Sequence, residues 1–386
     1  MAEPALPAGV FARMVALRRD LHRHPELSFE EERTACQIAA ALRELGLEPR
    51  RIAGTGLVVD LPGVGDGARV ALRADTDALP IQETTGLPFG SETAGIMHAC
   101  GHDGHSSMLL GAAALLVQGP PPPAPVRLLW QPAEEQGAGA LALIEAGALE
   151  GVGAIFGGHL DPRLPTGTLV CDDGPMNASS DTFRVEVLGQ AGHGARPHEA
   201  RDALVIGSQL VVALQTVVSR ELDPGQAAAL SVGRFQAGSA PNVIAGRALL
   251  EGTLRAQSPE VRAQLLAALE RIVKGTAAAS GARLELEVQR GTPPVVNAPA
   301  SAALGRQAAR DVGAEVVPLP TANLGGEDFA CYLERVPGCY VRYGARPTAR
   351  AWAPAHSGGF DFDEAALAIG ARWLARVAAV AGATLG

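Results

Sequence analysis

At 386 residues, 47% hydrophobic and 19% charged, the chain has the balance of a soluble globular protein with one large domain or two ordinary ones. A net charge of −9, no Lys/Arg-dense stretch and only 4% aromatic residues leave neither charge to track a phosphate backbone nor rings to stack bases, which argues against a nucleic-acid partner. Five scattered cysteines suggest no disulfide framework, Met1 to Val10 lacks a secretory pattern, and no uninterrupted apolar run spans a membrane, so a cytoplasmic enzyme without a membrane partner is expected.

Apolar residues at helical spacing predict helices over 10–22 and 30–45, the second stopped by Gly46. Short Val- and Leu-rich runs predict strands over 56–61 and 69–74. Residues 104–118 read as a buried helix, ended by Gly119 and the prolines from Pro120 to Pro123. A strand at 126–130, a helix from about 139 to 146 and a strand at 154–158 follow. This alternation predicts a mixed, mostly parallel sheet flanked by helices, an α/β fold.

Near Ala178 the pattern changes. Residues 182–188 alternate Phe183, Val185 and Val187 with polar neighbours, as a half-buried strand does. A helix at 202–220, strands at 228–235 and 247–254, a helix at 259–277 and a strand at 283–289 complete a β-α-β-β-α-β order. That order is the ferredoxin-like α+β unit. The chain then returns to α/β character, with a strand at 340–344. The expected organisation is therefore an α/β domain in two parts, 1–178 and 292–386, interrupted by an inserted domain at 179–291.

Ligands of open α/β sheets gather beyond the carboxyl ends of the strands. Asp75-Thr76-Asp77 follows the second of these strands, Glu134-Glu135 the third, His159 the fourth and His356 the last, while Cys100 and His102 precede the 104–118 helix. Each has an ordinary structural role when taken alone: a buried thiol, a helix-start histidine, a pair of acids near a helix N-terminus. Together they form the thiolate, imidazole and carboxylate set that binds transition metals.

The motifs Arg73-Ala-Asp-Thr-Asp-Ala-Leu-Pro80, His98-Ala-Cys-Gly-His-Asp-Gly-His105, Gln131-Pro-Ala-Glu-Glu135, Pro241-Asn-Val-Ile244 and Gly325-Gly-Glu-Asp-Phe329 resemble the M20 metallopeptidases. The nearest likeness is to the M20D amidohydrolases, such as hippurate hydrolase, indoleacetyl-amino-acid hydrolase and N-acetyldiaminopimelate deacetylase. It runs over nearly the whole chain, from about Arg18 to Glu364. The resemblance implies a metal-dependent exopeptidase-like fold whose inserted domain is a lid and dimerisation domain. It implies two divalent ions, with Cys100 bridging them as a thiolate and His102, Glu135, His159 and His356 as terminal ligands. Glu134 is implied as the general base that passes a proton to the leaving amine. Asp77 and Asp103 are expected to fix a ligand imidazole, and His98 and His105 to be structural.

In the inserted domain, the likeness makes His193 the residue that stabilises the oxyanion in a neighbouring subunit's site. Asn242 and Arg255 would then bind the oxyanion or a substrate carboxylate, and Gly326 and Glu327 would line the pocket. Two departures stand out. Gln190 occupies a position where the family often has lysine, and His356 is followed by Ser357-Gly358 in place of Ser-Pro. Zinc suits a thiolate, while manganese, cobalt and nickel also accept carboxylate and imidazole. The expected activity is cleavage of N-acyl-L-amino acids by a homodimer or tetramer. A dipeptidase or carboxypeptidase of the same family, or a catalytically weak metal-binding homologue, remains the alternative.

Overall fold

The computed structural model describes residues 6–385, so the reading of Met1 to Val10 lies partly outside it. The chain divides into two compact units. The first comprises residues up to Gly174, Val296–Pro320 and Asp328 onward; the second comprises Pro175–Val295 and Thr321–Glu327. The junctions fall at Gly174 and Val295 where 178 and 291 were expected, and Thr321–Glu327 joins the second unit. That short segment carries Gly326 and Glu327.

The first unit is built on an eight-stranded sheet in the order Arg50–Ile52, Gly56–Leu61, Val126–Gln131, Arg69–Asp75, Val152–Asp161, Gly338–Gly344, Thr168–Val170, Glu315–Val316. The central pairings are parallel, as in Leu72 against both Leu128 and Phe156, and Val341 against Gly158. Antiparallel strands close the sheet on the side of Gly56–Leu61. Val126–Gln131 and Gly338–Gly344 are buried at every residue, the mark of strands covered on both faces.

The helix His102–Gln118 is buried without a break from His102 to Ala114 and packs against the helices Val10–Arg23 and Ala365–Leu385. An all-round apolar helix of this kind belongs inside a core. Two helical segments, Ala203–Glu221 and Ala365–Leu385, are apolar and long enough to cross a membrane by length and composition, which the sequence reading did not anticipate. The second buries Leu367, Trp373, Leu374 and Val377, so packing already accounts for its composition.

The second unit has the strands Asp181–Leu188, Ala228–Ala237, Arg247–Ala256 and Arg283–Gln289 and the helices Ala203–Thr216 and Pro259–Ser280. Its sheet order runs Ala228–Ala237, Arg247–Ala256, Asp181–Leu188, Arg283–Gln289, all antiparallel, which is the ferredoxin-like topology. Both helices start on side-chain caps. Asp202 accepts from the N–H groups of Leu204 and Val205, and Ser258 from that of Val261. Strand Asp181–Leu188 buries alternate residues, so the sheet has one covered face.

Candidate metal centre

The strands Arg69–Asp75 and Val126–Gln131 end in loops that carry acids, and the peptide between Cys100 and His102 turns sharply. Gly101 has φ +92°, a left-handed conformation that glycine adopts without a Cβ penalty. The turn brings Cys100 and His102 to the mouth of their helix, with His102 its first residue. His159 lies within the strand Val152–Asp161, not after it: the strand runs three residues beyond the expected end at Gly158.

Two groups of ligand-type atoms form around one thiol. Cys100 lies with His102 and His159, and again with Glu135 and His356, each set of atoms within 4.8 Å. Cys100 Sγ is 3.1 Å from His159 Nε2, and His356 Nε2 is 3.3 Å from a Glu135 oxygen. His102 Nε2 is buried with no hydrogen-bond partner. A buried imidazole nitrogen left open, facing a thiol and carboxylates, suits a cation. Burial pushes the Cys100 thiol up to about 12, with Glu135 adding to the rise. A cation is what would make this thiol a thiolate at neutral pH. The donor set therefore fits two divalent ions sharing Cys100.

The supporting shell fixes each ring. Asp77 Oδ1 is 3.2 Å from His102 Nδ1, while its Oδ2 accepts from Ser28 Oγ at 2.8 Å and from the Glu135 N–H at 3.0 Å. One carboxylate thus orients one predicted ligand's ring and another's backbone. Burial would raise the Asp77 pKa, but the hydrogen bond and charge of His102 together with the Glu135 N–H and Ser28 bonds hold the carboxyl below its ordinary value. Burial likewise opposes protonation of His102, yet the charge of Asp75 and the bond from Asp77 hold its pKa well above ordinary. His159 Nδ1 donates to Leu160 O at 2.6 Å, which directs Nε2 toward Cys100. Burial keeps His159 well below its usual pKa and hence neutral, the form that ligates.

His356 has φ +63° and its N–H donates to Ala99 O at 2.8 Å, tying its loop to the Cys100 segment. The Glu135 carboxylate raises its pKa. Glu134 accepts from the Asp328 N–H at 3.4 Å and lies 3.9 Å from His102 Nε2, but it belongs to neither cluster around Cys100.

Asp103 departs from expectation. It does not reach a predicted ligand; its carboxylate receives Arg18 Nε at 3.0 Å and His22 Nδ1 at 2.9 Å. Arg18 also holds Asp361 at 2.9 Å and Glu364 at 3.1 Å, so Asp103 is part of a buried ionic knot behind the site. His105 does more than fill space. Its Nδ1 meets Asp75 at 2.6 Å and its Nε2 accepts the Leu160 N–H at 2.9 Å, fixing the peptide that holds His159. Asp75, which the sequence reading named without giving it a role, bonds His105 and lies 3.9 Å from His102 Nδ1. Its only signal was the strand-end position it shares with Asp77.

In the second unit, His193 pairs with Val243 across two short strands, and the Gly194 N–H donates to Asn242 O at 2.8 Å. His193 and Asn242 are thus neighbours, both exposed. Arg255 sits near the end of Arg247–Ala256, and a Cβ on Gly326 would lie 3.5 Å from its Nη1. Glu327 is buried.

The peptidase family M20/M25/M40 profile matches residues 71–380. The chain is 42% identical over 356 residues to the N-acetyl-L-cysteine deacetylase of Bacillus subtilis (strain 168), covering 92% of this chain and 84% of that one. It is 44% identical over 292 residues to the N-acyl-L-amino acid amidohydrolase of Geobacillus stearothermophilus, covering 74% and 78%. The crystal structure of a dinuclear metal-binding M20 peptidase from Bacillus subtilis matches with a TM-score of 0.87 at 37% identity, over 97% of this chain and 99% of that one.

Proposed function

Because the chain belongs to peptidase family M20/M25/M40 and is a metal-dependent amidohydrolase, we propose that it cleaves N-acyl-L-amino acids to a carboxylic acid and an amino acid, with Glu134 as general base. The observation that carries this reading is the pair of clusters sharing Cys100, with Glu134 next to them and in neither. Cys100, His102 and His159 would hold one ion, and Cys100, Glu135 and His356 the other. Such ions, when bound, lower the pKa of water to about 7 and polarise a carbonyl.

Glu134 takes the proton of the attacking water and delivers it to the leaving nitrogen, a role that requires a carboxylate free of the ions. The Asp328 N–H steadies its oxygen for that transfer. Arg255, whose Nη1 lies beside Gly326, supplies the guanidinium that would pair with a substrate carboxylate. The ions are zinc or manganese, with cobalt or nickel as substitutes, in keeping with the mixed donor set. All five cysteines are free thiols, which agrees with a cytoplasmic location.

The test is a hydrolysis panel of N-acetyl, N-benzoyl and indoleacetyl amino acids beside dipeptides, run with each metal. Turnover of the acyl conjugates at least about tenfold above the dipeptides supports the reading; the reverse order makes it a peptidase.

The partner we propose is a second copy, joined through the second unit. Its helix Ala203–Thr216 exposes Leu204, Val205 and Val212, and its strand Ala228–Ala237 is an open sheet edge. His193 would then act in the neighbouring subunit. Mixing inactive His193→Ala and Glu134→Ala chains should restore activity in mixed dimers, measured after subunit exchange. Verified mixed dimers without recovery would rule out the shared site.

A further inference from the structure

Glu31 is the residue before the helix Glu32–Glu44, where an acid ordinarily accepts from its own helix's first N–H groups. It makes no such bond. Its fully buried side chain instead crosses to the loop after Val126–Gln131, where Oε1 accepts the Ala133 N–H at 2.9 Å. Oε2 accepts from the Thr55 hydroxyl at 2.6 Å. Ala133 is one of four non-glycine residues described with positive φ, at +53°, and it immediately precedes Glu134 and Glu135. Left-handed backbone costs an L-residue about 1–2 kcal/mol and persists only where its surroundings dictate it. Here both neighbouring peptides are tied: Ala133 N–H to Glu31, and Ala133 O to the Gly139 N–H at 3.1 Å.

We propose that Glu31 is a positioning residue that holds Ala133 in its left-handed conformation and so aims Glu134 at the substrate. Relaxed to negative φ, residue 133 would swing the Glu134 carboxylate away from the Asp328 N–H and the Glu135 N–H away from the Asp77 carboxylate. Burial raises the Glu31 pKa, and the Thr55 and Ala133 bonds only partly offset that rise. Its function here needs an acceptor oxygen and not a charge, so glutamine should serve. The inference rests on the amidohydrolase reading of the site.

The test measures kcat and KM on the best N-acyl amino acid at saturating metal for Glu31→Gln, Glu31→Ala, Glu31→Asp and Glu31→Ala/Ala133→Gly. Crystal structures of the Asp and Ala variants are solved beside them. A misplaced catalytic group costs on the order of 100-fold. Glu31→Ala should therefore lose kcat on that scale with KM nearly unchanged. Glu31→Gln should stay near wild type, and Ala133→Gly should restore part of the Glu31→Ala loss, because glycine holds positive φ without support. If Glu31→Ala does not fold, Glu31→Asp, too short to reach both partners, is expected to show the same kcat loss.

Wild-type kcat in the folded Ala or Asp variant, or no recovery with glycine at 133, would overturn the proposal. So would a crystal structure of either variant with Ala133 still at positive φ. That readout needs no substrate. An inactive wild type would contradict the amidohydrolase reading and leave the Ala133 conformation to decide the role of Glu31.

Discussion

Glu134→Gln is expected to lower kcat by about 10²- to 10⁴-fold, the usual worth of a positioned proton-transfer group. Metal content should stay at two ions per chain: Glu134 lies close to His102 and Glu135, but both clusters around Cys100 are complete without it. The amide keeps the size of the carboxylate and can still accept the Asp328 N–H, so positioning survives while basicity is lost. Steady-state kinetics with elemental analysis of the same sample reads both quantities. Loss of the ions along with activity would make Glu134 a ligand. Retained activity would remove it from the mechanism.

The largest effect on stability is expected at Asp328. Its buried carboxylate receives Arg73 Nη2 at 2.8 Å, Gln131 Nε2 at 2.8 Å and the Ala140 N–H at 2.9 Å. Asp328→Ala leaves a buried cation and two amide donors short of an acceptor, which costs about 3–5 kcal/mol. Asp328→Asn keeps an acceptor oxygen and should lose clearly less. Urea unfolding of the first unit's transition measures both. A loss below about 1 kcal/mol for the alanine variant would mean that water or Asp75 replaces the carboxylate.

Much of the sheet was legible because its central strands are short apolar runs that end in chemically distinctive loops. Cys100, Glu134 and Glu135 could be picked out on those grounds. His159 was placed after its strand, which was ended at Gly158, but Gly157 and Gly158 lie inside the strand and mark no stop. The glycines have another cause: a Cβ on Gly157 would meet Phe329 Cε2 at 2.8 Å, and one on Gly158 would meet Val341 Cγ2 at 2.6 Å. Close packing, not a turn, selected them.

Asp103 directly follows His102, and successive helical residues do not share a face. The aspartate therefore looks toward Arg18 and His22. The pairing of Glu31 with Ala133 spans 102 residues and has no local sequence signal. The helices Pro299–Asp311 and Ala365–Leu385 were not assigned from the sequence. In the second unit, strand alternation made the order readable, and the Asp202 and Ser258 caps show in the structure where its helices start. Which unit Thr321–Glu327 would join was not, since that depends on tertiary packing and not on propensity.

Hydrolysis should depend on two ions held around Cys100. The direct measurement strips the protein with a chelator and adds metal back in known equivalents, following N-acyl amino acid hydrolysis and bound metal together. The expected result is negligible activity in the stripped protein, full recovery only near two equivalents per chain, and loss of both ions in Cys100→Ala. Full activity without metal, or saturation at one equivalent with Cys100→Ala unaffected, would contradict it.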